Sequence, residues 1–366
     1  MQPELSQSPQ PSSAVPSPEL TPVEAKGTPF ERGAIIGGAF REAIAKSVAF
    51  NSRYLARHGI DRLALESILT PFVEASEVAL PDLVKQIRGI AAGAEQSFLD
   101  LFAANAFEEI YGIVELANPA PTAAERCTDV VLKADRTTLL GHNEQWYSGD
   151  DGAVGIVRDS PNDGPVLLAP VVAGTLPLVG LNEYGAAFGT MSLSAKDERP
   201  GIPRALVARS LLDAVDPADA FKRANRSGRA GGYSYLCTFA GGESCVIETT
   251  ATTAALVSSQ VHTNHALDPD VAKQTFEVSD GSASRLRRAQ SLASGSTATV
   301  EDVSLLLADH AGEDQSICVH PDPVDGDEGS TILFAMICES ESRSMWLSPG
   351  HPCSVPFQRF HLDPTP

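Results

Sequence analysis

The sequence predicts an α+β fold in which a block of helices is followed by layered antiparallel sheets. Residues 28–112 place apolar side chains at helical spacing, whereas the chain from Cys127 onward alternates with the period of β-strands. The helical and strand segments come in blocks and not in strict βαβ repeats, which favours antiparallel layers. No internal repeat of about 20–50 residues stands out.

The composition narrows the possible partners. The chain has 366 residues, with 27 Lys and Arg against 47 Asp and Glu, a formal net charge of −20. Because a nucleic-acid partner requires a basic face, this balance argues against one. No run of about 18 apolar residues predicts a transmembrane helix, and the first residues lack the basic start and apolar core of a signal peptide. We expect a cytoplasmic protein with neither a nucleic-acid nor a membrane partner.

The first part of the chain divides into a tail and a helical segment. Residues 1–26 are rich in Pro, Ser and Gln, a composition that cannot bury enough apolar surface to offset the entropy of ordering, so they are predicted to be disordered. Helices are expected over residues 27–126, where Leu83, Ile87 and Ile90 recur at helical spacing. That segment ends in the small-residue connector PAPTAAER.

The remainder, residues 127–366, alternates between strands and a few helices. CTDVVLK and TTLLGHN predict a hairpin joined by ADR, and GAVGIVRD, GPVLLAPVVAG and LVGLNEYGAAFGTMSLS predict further strands. The helix IPRALVARSLLDAV is followed by the hairpin GGYSYLCTFAGGESCVIETT and by the helices SASRLRRAQSLAS and TVEDVSLLLADH. Thr299 and Asp302 suit a capping box. STILFAMICES and RSMWLSPG form the last hairpin.

The cysteine and histidine spacing predicts no metal site. The six cysteines include no CxxC pair, which is typical of neither a zinc framework nor a dense disulfide scaffold. His262 and His265 in VHTNH lack a third ligand at a suitable spacing. We therefore expect neither a metal nor an organic cofactor.

Cys127 stands where the helices give way to the first hairpin, and this position makes it a candidate nucleophile. A thiol with a reference pKa of about 8.5 needs a base, and no His pattern accompanies this one. If the chain were cut before Cys127, its own α-amine, with a reference pKa of about 8, would lie beside the thiol. The connector could be cut without the loss of an element, and the following strand could hold the thiol rigidly.

Seven segments around this cysteine resemble the isopenicillin N acyltransferase and carcinine hydrolase family of N-terminal nucleophile hydrolases. In family order they are GTPFERG, LVKQIRGIAAGAEQS, CTDVVLKADRTTLLGHNEQW, VHTNH, SICVHPDP, GSTILF and WLSPGHPC, which span almost all of the chain beyond the tail. The resemblance implies the four-layer αββα sandwich of the N-terminal nucleophile hydrolase type. It also implies acyl transfer from an amide or thioester through a thioester intermediate.

The resemblance further implies that the precursor cleaves itself between Arg126 and Cys127. The products would be a helical α chain, ending at residue 126, and a β chain that begins with the nucleophile Cys127; the two chains would stay together as partners. Asn264 would be the side-chain donor of the oxyanion hole. The residues expected to support the site or bind the substrate are Asn143, Glu144, Gln145, Trp146, Ser234, His262 and Glu328.

Two positions depart from the fungal acyltransferases, which carry Asp at the position of Gln145 and Arg at the position of Glu328. Glu144 is then the only carboxylate in the hairpin motif, where it could orient the Cys127 amine or bind a cationic substrate end. We favour hydrolysis of a small N-acylated amine or amino acid, because an acyl-coenzyme A donor requires basic residues for its phosphates. Two alternatives remain: acyl transfer from coenzyme A or an amide to a small amine, and an uncleaved binding or scaffold protein.

Overall fold

The computed structural model describes residues 19–117, 127–277, 279–311 and 316–362 and contains two sheets. The larger has the strand order β1-β4-β5-β6-β7-β8-β9-β10 and the smaller β11-β2-β3-β12-β13-β14. The strands are β1 (Val23–Gly27), β2 (Thr128–Ala134), β3 (Thr137–Tyr147), β4 (Val154–Pro161), β5 (Leu167–Val172), β6 (Gly180–Asn182), β7 (Ala187–Leu193), β8 (Gly232–Thr238), β9 (Ser244–Thr249), β10 (Ala254–Val257), β11 (Val261–His262), β12 (Ser330–Glu339), β13 (Ser344–Ser348) and β14 (Gln358–His361).

Six helices precede the central hairpin, and five more lie among the later strands of the described part of the chain. They are α1 (Pro29–Ala39), α2 (Arg41–Arg57), α3 (Arg62–Ala79), α4 (Pro81–Ala94), α5 (Phe98–Ala104), α6 (Phe107–Ala117), α7 (Arg204–Leu211), α8 (Pro217–Ala224), α9 (Pro269–Gln274), α10 (Asp280–Ser294) and α11 (Val300–Leu307). None of these described helices is both long and apolar enough to cross a lipid bilayer.

Three apolar cores separate four layers. The first core joins the early helices and α7 and α8 to the outer face of the larger sheet, with Ile36 and Ile247 among its members. The second core, which includes Val131 and Leu236, lies between the two sheets. The third packs α10 and α11, through residues such as Leu306, on the outer face of the smaller sheet. The αββα sandwich implied by the resemblance is confirmed.

The helical segment is tied to the sheets by close packing and by buried polar contacts. A Cβ at Gly33 would lie 2.1 Å from the Gln86 carbonyl oxygen, so the backbones of α1 and α4 can touch only because glycine stands there. Arg32 Nε donates to Asp159 Oδ1 at 2.5 Å, and Gln86 Nε2 donates to Asp159 Oδ2 at 3.1 Å. The two hydrogen bonds to Asp159 join helices that precede the bond between Arg126 and Cys127 to a strand that follows it.

The structure confirms most of the expected elements and corrects several. The central hairpin, the strands up to β9 and the capping box at Thr299 form as predicted. The predicted tail ends too late in the chain, because β1 begins at Val23 and pairs with β4. That pair is parallel, whereas all other described strand pairs are antiparallel. Helices α8 and α9 and strands β10, β11 and β14 were not predicted, and residues 1–18 and 118–126 lie outside the described residues.

Candidate active site

Cys127 lies immediately before β2, a central strand of the smaller sheet, and its side chain is 7% exposed between the two sheets. The Gln145 backbone N–H points at Sγ across 3.5 Å, and the Gln145 carbonyl oxygen lies 3.8 Å from the same sulfur. Among the contacts of the described residues, no imidazole forms a hydrogen bond with this sulfur. The thiol is therefore held rigidly by backbone groups, without a histidine as its base.

The surroundings of the thiol disfavour its ionisation in the uncut chain. Burial, followed by the negative charge of Glu144, raises the pKa of Cys127 well above its ordinary value. The Gln145 N–H and the Arg285 guanidinium oppose that shift without reversing it. Because the thiolate is the reactive form, the thiol needs a base before it can act as an efficient nucleophile.

Arg285 connects Cys127 to Asn264. This arginine lies on α10 and is 1% exposed. Its Nη1 donates to the Cys127 carbonyl oxygen at 2.7 Å, and its Nη2 donates to Asn264 Oδ1 at 3.2 Å. Asn264 Nδ2 donates to the Ser192 carbonyl oxygen at 3.3 Å. The guanidinium thus fixes the Asn264 amide beside the start of β2, with its nitrogen directed away from Arg285.

A row of buried ionisable residues crosses the smaller sheet on the face that carries Cys127. Asp129 on β2 pairs in register with His262 on β11 and with His142 on β3. His142 Nδ1 lies 2.5 Å from Asp129 Oδ1, and His142 Nε2 lies 3.1 Å from Glu144 Oε2. Burial opposes the charged imidazole, but Asp129 and Glu144 outweigh it and raise the pKa of His142 to about 10. His142 is therefore a buried cation between two carboxylates at neutral pH.

The larger sheet, which faces this row, leaves space for its side chains and pairs with one end of it. A Cβ at Gly189 on β7 would lie 2.1 Å from Asp129 Oδ2, so only glycine leaves space for that carboxylate. Glu248 on β9 accepts from the neighbouring end of the row, with its Oε1 lying 2.7 Å from His262 Nε2. Ser234 on β8 stands opposite Glu248 in register, and its hydroxyl is buried with no hydrogen-bond partner among the described residues. The two sheets therefore enclose a polar centre within an apolar layer.

A cavity adjoins this centre and has both aromatic and acidic walls. Glu144, Trp146, Phe107 and Phe334 line it, together with Glu108 and Arg204. Cys127 and Asn264 do not line it themselves. Glu144, which does line it, precedes the residue whose N–H meets the Cys127 sulfur.

The ionisable groups in the cavity wall are closely paired. Glu108 Oε2 accepts from Ser192 Oγ at 2.6 Å, and Arg204 pairs with Glu108, Glu109 and Glu198. Burial raises the pKa of Glu108 to about 7, against the opposing influence of Arg204 and Ser192. Since the Ser192 carbonyl oxygen also accepts from Asn264, Ser192 joins the cavity wall to the candidate oxyanion donor.

Three of the residues predicted to support the site have contacts that point elsewhere. Asn143 Nδ2 donates to the carbonyl oxygens of Leu307 and Ile317 on the outer face of the smaller sheet. Glu328 is partly exposed, forms an ion pair with Arg57 at 2.5 Å and does not line the cavity. The Gln145 side chain donates to the Ser330 hydroxyl, so only its backbone meets Cys127. Arg126 lies outside the described residues.

Sequence reasoning did not single out Arg285, His142 and Glu108. A usable signal existed for His142, because strand alternation places it on the same face as Glu144 and opposite to Asn143. No local pattern marks Glu108, whose partners Ser192 and Tyr233 lie 84 and 125 residues away along the chain. None marks Arg285 either, whose partners Asn264 and Cys127 lie 21 and 158 residues away. Trp146 was equally compatible with a pocket or a core, and the structure places it in the cavity wall.

The chain is similar in sequence or in structure to several known proteins. The β-alanyl-dopamine/carcinine hydrolase of Drosophila melanogaster is 24% identical over 206 residues, 53% of this chain and 53% of that protein. The chain thus spans about half the length of this curated relative. A variant of the conjugated bile acid hydrolase of Clostridium perfringens shares 14% identity at a TM-score of 0.45, over 65% of this chain and 98% of that one.

The penicillin V acylase of Agrobacterium tumefaciens also shares 14% identity, at a TM-score of 0.43, over 61% of this chain and 82% of that one. The family match is more extensive. Residues 133–353 match the acyl-coenzyme A:6-aminopenicillanic acid acyl-transferase family, which confirms the resemblance found in the motifs. Because that match covers well over half of the chain, the protein belongs to the acyl-coenzyme A:6-aminopenicillanic acid acyl-transferase family.

Proposed function

We propose that this protein is a cysteine amidohydrolase that cleaves itself between Arg126 and Cys127 and then hydrolyses small N-acylated amines through a thioester on Cys127. The observation that carries the proposal is the position of this cysteine. It opens a central strand, its sulfur is held between the sheets on the Gln145 N–H, and Arg285 links its carbonyl oxygen to Asn264. Membership of an acyltransferase family supports the same chemistry.

In the proposed self-cleavage, the Cys127 thiol reacts before the α-amine that later serves as its base has been released. Sγ attacks the carbonyl carbon of Arg126, the peptide bond to the Cys127 nitrogen breaks, and that nitrogen leaves as an amine. Water then hydrolyses the thioester, which gives a carboxylate on Arg126 and a free thiol on Cys127. The burial and the nearby Glu144 that raise the pKa of Cys127 make this first step slow. The step happens once in each chain.

The proposed cleavage supplies the base that turnover requires. The new α-amine, with a reference pKa of about 8, lies on the same residue as the thiol and can accept its proton. Sγ then attacks the substrate carbonyl, the amine product leaves with a proton from the α-ammonium, and water resolves the thioester. Of the two hydrogens on Asn264 Nδ2, one points to the Ser192 carbonyl oxygen and the other is proposed to donate to the oxyanion.

The cavity wall favours a substrate with a cationic end. Four carboxyl groups of the described residues line the cavity, those of Glu108, Glu109, Glu144 and Asp150, against the single guanidinium of Arg204. An acyl group with an amine terminus, such as β-alanyl, would place its ammonium near these carboxylates. The similarity to a β-alanyl-dopamine/carcinine hydrolase supports this choice of acyl group.

The same wall argues against acyl-coenzyme A as the donor. Among the described residues that line the cavity, Arg204 is the only Lys or Arg, and its guanidinium is paired with Glu108, Glu109 and Glu198. A coenzyme A donor requires unpaired cations for its phosphates. Water is therefore the proposed acceptor of the acyl group.

Turnover assays on the purified protein test this function. The panel contains β-alanyl, glycyl, phenylacetyl and fatty-acyl amides, and acid-quenched samples are examined by mass spectrometry for an acyl adduct on the peptide that contains Cys127. We expect hydrolysis of the β-alanyl amide and an adduct that is absent in Cys127→Ala, while Cys245→Ala keeps full activity. If the wild type turns over no amide faster than Cys127→Ala does, the hydrolase proposal is wrong and the binding-protein alternative gains support.

A further inference from the structure

Two cysteines and two histidines converge from the connection between α11 and β12 and from the loop after β13. His310, Cys318, His320 and Cys353, here called the Cys/His cluster, place one potential ligand atom each within 4.8 Å of all the others. His320 Nε2 lies 3.1 Å from His310 Nε2, 3.3 Å from Cys353 Sγ and 4.0 Å from Cys318 Sγ. Tetrahedral zinc, with bonds of about 2.0–2.3 Å, separates its ligand atoms by about 3.3–3.8 Å.

Hydrogen bonding alone does not account for this convergence. His320 Nε2 carries either one proton or one lone pair, so it can complete only one of its three close contacts. A cation at the centre would instead accept one lone pair from each of the four atoms. Four atoms with lone pairs within 4.8 Å of one another are suited to bind one cation.

We propose that the Cys/His cluster is a structural zinc site. Two thiolates and two neutral imidazoles are ligands that suit zinc and not magnesium or calcium, and together they balance the charge of Zn²⁺. Binding releases the two thiol protons, so zinc affinity rises with pH. Because the protein supplies all four ligands, no position remains open for a reacting water, and the role is structural.

Contacts outside the ligand set hold the ligand-bearing segments in place. The backbone N–H of Cys318 donates to the Asp309 carbonyl oxygen at 3.0 Å, which ties Cys318 to the residue before His310. The Asp309 carboxylate receives two hydrogen bonds from Arg288, at 3.0 and 2.6 Å. The potential ligands His310 and Cys318 are thereby held close together without the ion.

His320 is supported from its other face. The ring of His351 stacks on it with centroids 4.0 Å apart and planes 14° from parallel. His351 Nε2 in turn lies 2.8 Å from Thr331 Oγ1 on β12. Such outer contacts, which orient a ligating imidazole, are a regular feature of protein metal sites.

The site would connect loops that lie directly behind the candidate nucleophile hairpin. Asn143 on β3 donates to the carbonyl oxygens of Leu307 and Ile317, which flank the segment between α11 and Cys318. Thr331, which supports His351, follows Ser330, the residue that receives the Gln145 amide. Zinc would therefore brace the outer side of β3 and β12 without touching the reacting atoms.

Metal analysis of the full-length protein tests this inference. The chain is produced in zinc-supplemented medium and purified under reducing conditions without chelators or a metal-affinity column, and zinc is measured by plasma mass spectrometry. We expect about one zinc per chain, lost in Cys318→Ser/Cys353→Ser and kept in the control Cys245→Ser. After exchange with Co²⁺, the wild type but not the double variant should show thiolate-to-cobalt charge transfer and strong tetrahedral d–d bands.

The readout is independent of catalysis, because Cys127→Ala should retain the same zinc content whether or not the enzyme proposal holds. Removal of zinc should lower the thermal midpoint of the wild type and leave that of the double variant unchanged. Equal zinc in the wild type and the double variant would overturn the assignment. So would a wild type that takes up no zinc or cobalt, or one in which peptide mapping of freshly isolated protein shows a disulfide between Cys318 and Cys353.

Discussion

The surroundings of Cys127 and the Cys/His cluster place the same residue types in opposite arrangements. Between the sheets, the Cys127 sulfur meets the backbone of Gln145, while the nearby row holds His142 between two carboxylates. In the loops before β12 and after β13, two thiols and two imidazoles lie within 4.8 Å of one another, and three of the four residues are exposed. Thiols and imidazoles meet directly only in the second region of the described chain.

The difference between the two regions shows what the Cys127 thiol lacks. A thiol paired with imidazoles has both a base and a set of metal ligands, whereas Cys127 has neither. In the proposed function, its own α-amine becomes its base once the chain is cut. The absence of a histidine at the Cys127 sulfur is therefore consistent with a nucleophile that becomes efficient only after the chain is cut.

The largest predicted effect comes from removal of the Cys127 thiol. Cys127→Ala should leave a single uncut chain and lower amide turnover by about 10⁴-fold or more, since no other group can form the thioester. Electrophoresis and the turnover assay measure the two effects. The matched variant Cys245→Ala should be cut and active, because its thiol belongs to neither region. An uncut and inactive Cys245→Ala would show that the loss is not specific to the Cys127 thiol.

The next effect concerns the oxyanion donor. Asn264→Ala removes the amide that Arg285 orients and should lower kcat by about 10²–10³-fold while the protein stays folded. The circular dichroism spectrum and kcat check this prediction. The control Asn225→Ala changes an asparagine outside the site, at the end of α8, and should leave kcat unchanged. A kcat loss of less than threefold in Asn264→Ala would remove this residue from the mechanism.

Disruption of the row of buried ionisable residues should lower the free energy of unfolding. His142→Gln leaves Asp129 and Glu144 without their shared cation, and we expect a loss of about 3–5 kcal/mol in the free energy of unfolding. The measurement is denaturant unfolding in the Cys127→Ala background, which keeps a single chain. The same change at His265, whose pKa burial lowers to about 4 so that its imidazole is neutral, should cost only about 1 kcal/mol.

The stability difference between the parent chain and His142→Gln should change with pH in a definite direction. The folded state raises the pKa of His142 from an ordinary value of 6.5 to about 10. Its contribution to stability is therefore complete below pH 6.5 and is lost as the pH rises through about 10. The stability gap between the parent chain and His142→Gln should narrow over this range. A gap that widens with pH would contradict the assignment of His142 as a buried cation.

The smallest effect concerns substrate charge. Because burial raises the pKa of Glu108 to about 7, the cavity gains negative charge as the pH rises through neutrality. KM for a cationic β-alanyl amide should fall about fivefold or less, the scale of about 1 kcal/mol for a partly solvated charge pair. Glu108→Gln should remove this dependence, and a neutral fatty-acyl amide serves as the control. The same KM change with the neutral amide would exclude charge recognition by Glu108.

Local patterns predicted much of the fold. The helical block and the β2–β3 hairpin follow from apolar periodicity, because burial of one face imposes a period of 3.6 or 2 residues. β1 was missed because Val23–Gly27 is short and adjoins a Pro- and Ser-rich segment, so its pairing with β4 has no local signal. The short helices α8 and α9 were missed for the same reason: they offer too few turns for a periodic pattern.

The candidate site was predictable only where a motif marks it. Cys127 and Asn264 lie in segments that resemble a known family, whereas Arg285, which connects them, comes from an ordinary amphipathic helix. In the Cys/His cluster, His310, Cys318 and His320 lie close together in sequence and were not singled out, whereas Cys353 joins them from 33 positions beyond His320, which no spacing predicts. The difference from the fungal acyltransferases at Gln145 now has less weight for the candidate site, because the backbone N–H of this residue contacts the Cys127 sulfur whatever its side chain is.

The central claim is that the chain becomes an enzyme by cutting itself before Cys127. Intact-mass measurement of the purified wild type under denaturing conditions, with N-terminal sequencing of each species, tests this claim directly. We expect two species, one ending in Arg126 and one beginning with Cys127, both replaced by a single full-length mass in Cys127→Ala. A wild type that stays full-length at neutral pH, or a Cys127→Ala chain cut at the same bond, would contradict the claim.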